Sequence, residues 1–419
     1  MKTQLAEHIR NTPEGKEADQ ILRACVHCGF CTATCPTYQL LGDELDSPRG
    51  RIYLMKEMLE GNAVSGKTQL HLDRCLTCRA CETTCPSGVR YGRLVDIGRH
   101  MVEQQVGRTL FASVQRAALN TIIPNQRLFK PLLRLGQSVR PLLPPALKAK
   151  VPKTAGAAGA WPEARHPRKA LVLDGCVQPA LSPDINPAAA RVLDRIGISL
   201  IRAESAGCCG ALTFHLNRQE QALEFMRRNI DAWWPHIEAG AEAVVMTASG
   251  CGVMVKDYAH ALAHDPAYAA KAARVVELTR DLSEYLVAEK AAVEKCLVEV
   301  PIDRDDKTRI AFHSPCTLQH GQQLRGHAEA MLRAAGFELT TVPDSHLCCG
   351  SAGTYSILQP ELSQRLLKNK VAALASGRPE AIATANIGCL THIQSGTALP
   401  VRHWIEWLAE RLDYKTNGE

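Results

Sequence analysis

The 419-residue sequence predicts an α+β protein: an all-helical N-terminal domain followed by two duplicated α/β domains. Three observations predict this class. Up to about residue 105 the sequence is typical of helices interrupted by two cysteine runs. From residue 168 onward, short apolar strands alternate with amphipathic helices, which favours largely parallel sheets. Cysteines in this second region recur at an offset of about 140 positions, and such matched spacing indicates a duplicated domain.

These patterns divide the chain into four segments. The expected ranges are 1–107 for the helical domain, 108–167 for a basic, proline-rich linker, and 168–295 and 296–419 for the two repeats. Apolar and charged fractions are ordinary for a soluble globular protein, and a net charge of +6 does not by itself indicate nucleic acid. Seventeen cysteines without an apolar export segment predict metal or redox chemistry in a reducing compartment.

Two copies of one cysteine run organise the helical domain. The run C-x2-C-x2-C-x3-C-P occurs at residues 25–36 and again 50 positions later, and two such runs are the ligand pattern of two [4Fe–4S] clusters. Three cysteines of each run bind one cluster, and the fourth reaches the other. The expected ligands are Cys25, Cys28, Cys31 and Cys85 for the first cluster, and Cys75, Cys78, Cys81 and Cys35 for the second.

Two features around the runs bear on this interpretation. Eight cysteines could instead bind two structural zinc ions, but zinc motifs usually separate two C-x2-C pairs by a longer insert. Arginines near an anionic cluster would raise its reduction potential. The alternative is that these arginines are ordinary solvated side chains. The flanking arginines are Arg49, Arg51, Arg74, Arg79, Arg90 and Arg93, and helices are predicted at Arg51–Leu59 and Val89–Gln105.

The segment between Gln104 and Trp161 has no acidic residue but nine lysines and arginines. Its prolines and its Ala/Gly-rich end predict a linker, whose first half can form amphipathic helices with Leu110 and Phe111 on the apolar stripe. A basic, leucine-bearing segment fits an anionic membrane surface or a partner subunit. The alternative is a tether that packs across its own domains.

Each repeat is predicted to consist of alternating strands and helices. The first has strands at Lys169–Leu173, Ser199–Arg202 and Ala243–Met246, with helices at Pro187–Ile196 and Gln219–Ile237. The second has strands at Thr308–Phe312, Glu338–Val342 and Ala381–Thr384, with helices at His327–Ala335 and Pro360–Ala375.

Eight further cysteines occupy matching positions where these strands end, which is where ligands gather in α/β folds. Adjacent cysteines pair poorly as a disulfide, and a Cys-Cys-Gly turn at a helix N-terminus favours thiolates. They are therefore candidate ligands of an additional iron–sulfur cluster. The positions are Cys176, Cys208, Cys209 and Cys251 in the first repeat, and Cys316, Cys348, Cys349 and Cys389 in the second.

These motifs carry a family resemblance. The Cys-Cys-Gly repeats resemble heterodisulfide reductase B-type subunits, and the chain from Cys25 through Leu408 resembles the iron–sulfur subunits of glycolate oxidase. The segments that carry the likeness are Cys25–Cys31, Gly42–Gly50, Asp73–Cys78, Cys85–Arg90, His313–Cys316 and Leu347–Tyr355.

The resemblance implies a helical ferredoxin domain and two Cys-Cys-Gly domains. It also implies FAD-containing partner subunits that oxidise glycolate to glyoxylate, and a quinone or other respiratory acceptor. The expected location is cytoplasmic, peripheral at the inner face of the plasma membrane. The chain would then be the non-flavin subunit of a glycolate dehydrogenase complex, and we expect no turnover of glycolate by this chain alone.

The sequence departs from the heterodisulfide reductase pattern at one position in each repeat. There the last cysteine belongs to a C-x-x-C pair, whereas Met254 and His392 stand in place of the second cysteine here. The second repeat has His313, His346 and His392 near its cysteines and is the better candidate for an additional cluster.

No glycine-rich nucleotide loop follows a strand, so no flavin is expected on this chain. Two alternatives remain open. One is the electron-transfer subunit of a D-lactate or glycerol-3-phosphate dehydrogenase, because the substrate is chosen by the flavin subunit. The other is a thiol/disulfide enzyme centred on Cys348 and Cys349, against which the missing C-x-x-C partners count.

Overall fold

The computed structural model describes residues 1–144, 148, 151–300 and 308–413. As predicted, the N-terminal domain is helical. Its α-helices are Glu7–Arg10, Pro13–Ala24, Pro36–Leu41, Pro48–Leu59, Gly66–Asp73, Ala80–Thr83 and Tyr91–Gln105, and short 3₁₀ turns lie at Phe30–Thr32 and Glu44–Asp46.

Helix capping and one buried apolar face explain how these helices hold the cysteine loops in place. The helix Pro48–Leu59 begins with a proline, and the side chain of Ser47 accepts a hydrogen bond from Gly50 N. Its buried face, which includes Met55, packs with Leu94 of the helix Tyr91–Gln105 in one core. Cys25, Cys75 and Cys81 border this same core, so the helices fix where both loops lie.

Each repeat contains one four-stranded sheet in which all neighbouring strands are parallel. The strands are β1 (Arg168–Val172), β2 (Ile198–Arg202), β3 (Ala243–Met246), β4 (Thr279–Asp281), β5 (Arg309–His313), β6 (Glu338–Leu339), β7 (Ala381–Thr384) and β8 (Val401–His403). The orders β2-β1-β3-β4 and β6-β5-β7-β8 are the same topology, as expected of a duplication.

Helices connect the strands of each repeat. In the first repeat they are Gln178–Leu181, Ile185–Arg195, Ala211–His215, Gln219–Glu238, Ser249–Lys256, Tyr258–Ala261, Ala269–Leu278, Leu282–Ala288 and Lys290–Val298. In the second they are His327–Ala334, Tyr355–Leu358, Pro360–Ala375, Ile387–Gly396 and Trp404–Asp413, with a π-helical turn at Thr317–Gly321.

One predicted strand is shorter in the structure. Residues 338–342 were expected to form β6, but only Glu338 and Leu339 pair, with Arg309 and Ile310 of β5. β6 is an edge strand, and Pro343 just beyond it has no N–H to donate to a ladder.

The fourth strand of each sheet ends in a helix cap. In the first repeat, Asp281 and Glu284 form a capping box at the helix Leu282–Ala288. In the second, the backbone N–H of His403 donates to Glu406 Oε2 (2.8 Å), and His403 Nδ1 accepts from Ile405 N (3.3 Å). The histidine therefore takes the place of the capping aspartate.

One hydrophobic core spans both repeats, and a second core lies within the first repeat. The helix Ile185–Arg195 of the first repeat packs against Trp404–Asp413 of the second, and Trp404 is fully buried. Across the same junction, His403 Nε2 donates to Thr247 O (2.9 Å). The pair is thus a single packed unit on which the helical domain rests.

Between the helical domain and the first repeat, the described residues include the helices Leu110–Ile122 and Gln126–Val139 and a 3₁₀ turn at Arg140–Leu142. Ion pairs from Arg108 and Arg116 to Asp73 hold the start of this segment against the helical domain. None of the helices in the described ranges combines the length and apolar character needed to cross a membrane.

Candidate iron–sulfur sites

The two cysteine runs fold as the same tight loop. The second residue after the first cysteine has a positive φ in each, 56° at His27 and 53° at Thr77. The fourth residue does too, 87° at Gly29 and 59° at Arg79. Non-glycine residues seldom adopt this conformation, so its recurrence at matching positions shows that the runs are structural copies.

The first loop and the end of the second run meet at one cavity. Its lining includes Cys25, Cys28 and Cys31 of the first run together with Cys85 of the second, and Cys81 also borders it. Burial raises the pKa of the Cys31 thiol to about 11. Four of these five thiols, those of Cys25, Cys28, Cys31 and Cys85, fit the all-sulfur donor set that a cubane cluster takes. The structure therefore brings together the four residues expected to bind the first cluster.

The second loop gathers the other four thiols. Burial raises the pKa of the Cys81 thiol well above its usual value, and the neighbouring sulfurs of Cys78, Cys75 and Cys35 add to the shift. Cys75 Sγ accepts hydrogen bonds from Thr77 N (3.4 Å) and Tyr91 OH (3.7 Å). Hydrogen bonds to sulfur are one way in which proteins tune such clusters, so this donor set also fits.

A buried ion-pair network lies beside the second loop. Arg51 is 1% exposed and donates to Asp46 Oδ1 (3.1 Å) and to His71 O (2.7 Å). Asp46 also accepts from Arg74 (2.8 Å) and from His71 Nδ1 (3.0 Å). Although burial opposes the charge of Arg51, nearby anionic groups including Cys75 outweigh it and raise its pKa. Arg51 thus remains a fixed cation near the second set of thiols.

The other arginines that flank the runs are also paired with carboxylates. Arg49 bonds to Glu44 on the surface, and Arg90 lies 3.7 Å from Glu17. In addition, Asp257 of the first repeat forms ion pairs with Arg79 (3.4 Å) and Arg93 (2.8 Å). Their positive charge near the clusters is therefore largely compensated, and the last two arginines anchor the helical domain to the first repeat.

Arg99 contacts the second loop and was not singled out from the sequence. It is buried, and its guanidinium donates to Leu72 O (2.9 Å), Cys75 O (2.5 Å) and Thr77 Oγ1 (2.8 Å). It therefore fixes the backbone of the second loop. Arg99 lies 24 positions from Cys75 in the sequence, so no local pattern could indicate this contact.

In the first repeat the four candidate cysteines lie at the carboxyl ends of the strands, as predicted. Cys176 follows β1, the Cys-Cys-Gly turn follows β2, and Cys251 lies in the helix after β3. Hydrogen bonds from the thiols of Cys176 and Cys209, together with Gly210 N (3.4 Å), lower the pKa of Cys208. One sulfur of this group is thus favoured as a thiolate.

In the second repeat the cysteines converge with one histidine. Cys316 Sγ donates to Cys348 Sγ (3.8 Å), and Asn386 Nδ2 donates to Cys389 Sγ (3.5 Å). The donor atoms of His313, Cys349 and Cys389 all lie within 4.8 Å of one another, and all three residues are buried. Of the three histidines noted in the sequence, only His313 joins this group. His392 Nε2 instead lies 3.2 Å from Ser363 Oγ.

The second repeat also touches the second cysteine run. Leu76 and Cys78 pack in one apolar cluster with Cys316 and Cys348. His320 Nδ1 lies 2.9 Å from Thr83 Oγ1 across the same interface. The second cluster site is therefore enclosed by the second repeat.

Comparison with known proteins agrees with this architecture. Residues 21–89 match the model of a 4Fe-4S dicluster domain, and residues 170–256 and 310–394 each match a cysteine-rich domain. The chain is 57% identical over 413 residues to the glycolate oxidase iron-sulfur subunit of Escherichia coli K12, covering 99% of this chain and all of that protein. The chain belongs to the family of glycolate oxidase iron–sulfur subunits.

Two other relatives are less similar to this chain. A probable glycolate oxidase iron-sulfur subunit of Bacillus subtilis is 29% identical over 93% of this chain and 92% of its own length. Lactate utilization protein A of Bacillus velezensis is 29% identical over 52% of this chain and 87% of its own length. Family membership thus supports an iron–sulfur protein of an oxidoreductase complex.

Proposed function

We propose that this chain is the electron-transfer subunit of a glycolate oxidase complex, with the eight cysteines of the two runs as the ligands of two [4Fe–4S] clusters. A partner subunit with FAD oxidises glycolate to glyoxylate, and a quinone or other respiratory acceptor receives the electrons. The observation that carries this proposal is that Cys85 of the second run lines the same cavity as Cys25, Cys28 and Cys31 of the first. When bound, each cluster would carry one electron at a time. A reduced flavin could therefore pass on its two electrons in single steps.

The two sites differ in how open they are. Cys28 is exposed, and the side chains beside it, Val26 and Phe30, are 67% and 60% exposed. In contrast, Cys78 of the second loop is covered by the second repeat. Exposed apolar side chains next to a ligand fit a docking surface, so the flavin subunit binds at the first loop.

The helix Gln126–Val139 of the 108–167 segment fits an anionic membrane surface. Leu128, Leu132, Leu135 and Val139 lie at helical spacing on one stripe, and all four are exposed. Basic side chains share this helix, and no acidic residue lies between Gln104 and Trp161. Basic amphipathic helices bind in the interface of a bilayer, and this helix supports the proposal that the complex lies peripherally at the cytoplasmic face of the membrane.

The membrane proposal is tested with vesicles of phosphatidylcholine and phosphatidylglycerol. Each basic residue near such a surface contributes about 1 kcal/mol, so replacing Arg127, Lys130 and Arg134 with Gln is expected to weaken binding about a hundredfold. The matched control removes the same charge elsewhere, by replacing the exposed Lys16, Lys67 and Lys368 with Gln. Equal weakening in both variants would show that only net charge matters and would contradict the proposal.

The division of labour is tested by dye reduction. The purified chain alone is expected to show none with glycolate, and addition of flavin-bearing partner subunits is expected to restore it. D-lactate is assayed in parallel, because the similarity to lactate utilization protein A covers half of this chain. Turnover by the chain without flavin, or a preference for D-lactate in the reconstituted complex, would overturn the assignment.

A further inference from the structure

Tyr355 carries a buried hydroxyl group whose hydrogen-bonding capacity is unused. It is the first residue of the helix Tyr355–Leu358, after the Cys-Cys-Gly turn of the second repeat, and it is 6% exposed. Among the described residues, no hydrogen-bond partner is found for its hydroxyl. A buried polar group without a partner is costly, and native structures seldom keep one. An acceptor other than these protein groups is therefore expected next to it.

The surroundings of Tyr355 place it beside the second cysteine loop. The residue packs in one apolar cluster with Leu76 and Cys78 of that loop. Burial raises the pKa of its phenol, and the sulfur of Cys75 adds to the rise. The hydroxyl group therefore keeps its proton and remains a hydrogen-bond donor near the sulfurs that are expected to bind the second cluster.

A second tyrosine shows what a phenol does at this loop. Tyr91 is 3% exposed and donates to Cys75 Sγ (3.7 Å) from the side of the helical domain. Tyr355 approaches the same loop from the second repeat. A [4Fe–4S] cluster contains inorganic sulfides besides its thiolates, and hydrogen bonds to these sulfurs help to set its reduction potential. Such a sulfur would supply the acceptor that Tyr355 lacks.

The sulfurs of the first loop have different surroundings. Burial raises the pKa values of Cys25 and Cys31, and the backbone N–H groups of His27 and Arg49 oppose these shifts. Among the described residues, no phenol hydroxyl donates to a sulfur of this loop. The donors that distinguish the second loop from the first are therefore its two tyrosines.

The corresponding position of the first repeat also contacts the helical domain. It is His215, 140 residues before Tyr355, and its Nδ1 atom lies 3.1 Å from Asp96 Oδ1. The duplicated fold thus directs this position at the helical domain in both repeats. In the first repeat the partner is a carboxylate, whereas in the second the described residues supply none.

We propose that the Tyr355 hydroxyl donates a hydrogen bond to a sulfur of the second [4Fe–4S] cluster and raises the reduction potential of that cluster above that of the first. This inference rests on the proposed function, because it takes the eight cysteines as cluster ligands. Reduction adds one negative charge to a cluster, and hydrogen bonds strengthen as the acceptor becomes more anionic, so the donor stabilises the reduced form. One electron then passes from the first cluster, which is oxidised, to the second, which is reduced, and the phenol keeps its proton. Electrons thus move from the exposed loop to the covered one.

The first test compares reduction potentials in the full-length chain, purified anaerobically and titrated under electron paramagnetic resonance. Tyr355→Phe removes a hydroxyl without a partner among the described residues, so iron and acid-labile sulfide are expected to stay at about eight each. The potential of the second cluster is expected to fall, and that of the first to stay unchanged. Tyr91→Phe removes the hydrogen bond to Cys75 and is expected to shift the same signal, which assigns that signal to the second cluster. The matched control Tyr268→Phe removes a phenol bonded to Asp231 on the surface of the first repeat, and it is expected to shift neither signal.

The second test uses the unaltered protein and therefore does not depend on the folding of a variant. A soluble gadolinium chelate accelerates the relaxation of a paramagnetic centre that lies near the surface. Cys28 of the first loop is exposed, whereas the second repeat covers Cys78 of the second. The signal that appears first during reduction is expected to be insensitive to the chelate, because it belongs to the second cluster.

Three results would overturn this inference: an unchanged potential of the second cluster in Tyr355→Phe, a shift confined to the first cluster, or a first-appearing signal that is sensitive to the chelate. With about eight irons per chain, each of them refutes the role of Tyr355 and leaves the ligand assignment intact. An iron content well below eight in the unaltered protein would refute the ligand assignment itself and this inference with it. None of these readouts depends on glycolate oxidation.

Discussion

Replacing Asp46 with Asn isolates the role of the buried ion-pair network beside the second loop. Asp46 is fully buried and bonds to Arg51, Arg74 and His71. An amide keeps the shape but removes the charge, so Arg51, itself 1% exposed, becomes an uncompensated buried cation. Removing one partner of a buried pair costs about 3–5 kcal/mol. For a unit the size of the helical domain, each kcal/mol lowers the melting temperature by about 4–8 °C, so a fall of at least about 12 °C is expected.

The assay is the loss of visible cluster absorption when the anaerobic protein is heated. Glu44→Gln is the matched control, since it removes a carboxylate five residues from its partner Arg49 on the surface. The side chains of that pair are 46% and 36% exposed, and such pairs contribute about 0–1 kcal/mol. If both variants lost their absorption at the same temperature, the buried network would not hold the second loop.

Two further predictions concern the crossed ligands and the junction of the repeats. Cys35→Ser is expected to alter the electron paramagnetic resonance signals of both clusters, with Cys296→Ser as a silent control; damage confined to the first cluster would contradict the exchange. Burial lowers the pKa of His403 to about 3, so the unfolded chain takes up a proton below pH 6.5 that the folded chain excludes. The free energy of unfolding therefore decreases as the pH is lowered below 6.5, by about 2 kcal/mol at pH 5. His403→Gln, which keeps a donor for Thr247 O, is expected to flatten this dependence in denaturant titrations at pH 7 and pH 5; an unchanged slope would exclude His403 as its source.

The fold could be predicted where the signal was local. Strands such as Ala243–Met246 are continuous apolar runs, and their bounds agree with the structure. The three-residue strands β4 and β8 were not predicted, because so short a segment has no periodicity to detect. The length of β6 was wrong because pairing at a sheet edge depends on the neighbouring strand rather than on the apolar content of the segment.

The residues of the candidate sites, too, could be predicted only where the sequence signal was local. The cysteine pattern predicted that Cys85 lies with the thiols of the first run, and these four residues line one cavity in the structure. Asp46 and Arg99 could not be recognised, because their partners lie 20 or more positions away in at least one contact and charged residues are usually solvated. His313 was noted for its place in a motif, but only its buried, unpartnered nitrogen distinguishes it from His392.

The core that the repeats share has a consequence for biosynthesis. Ile185–Arg195 is completed by Trp404–Asp413, through contacts that include Arg191 with Asp413 (3.1 Å) and Arg195 with Leu412 O (3.2 Å). About 200 residues separate the two helices, and at roughly 5–20 residues per second a ribosome needs about 10–40 s to make them. During that interval the nascent first repeat exposes an apolar face to chaperones and to other nascent chains. The second loop of the helical domain waits even longer for its cover, because Cys316 and Cys348 of the second repeat pack on Leu76 and Cys78.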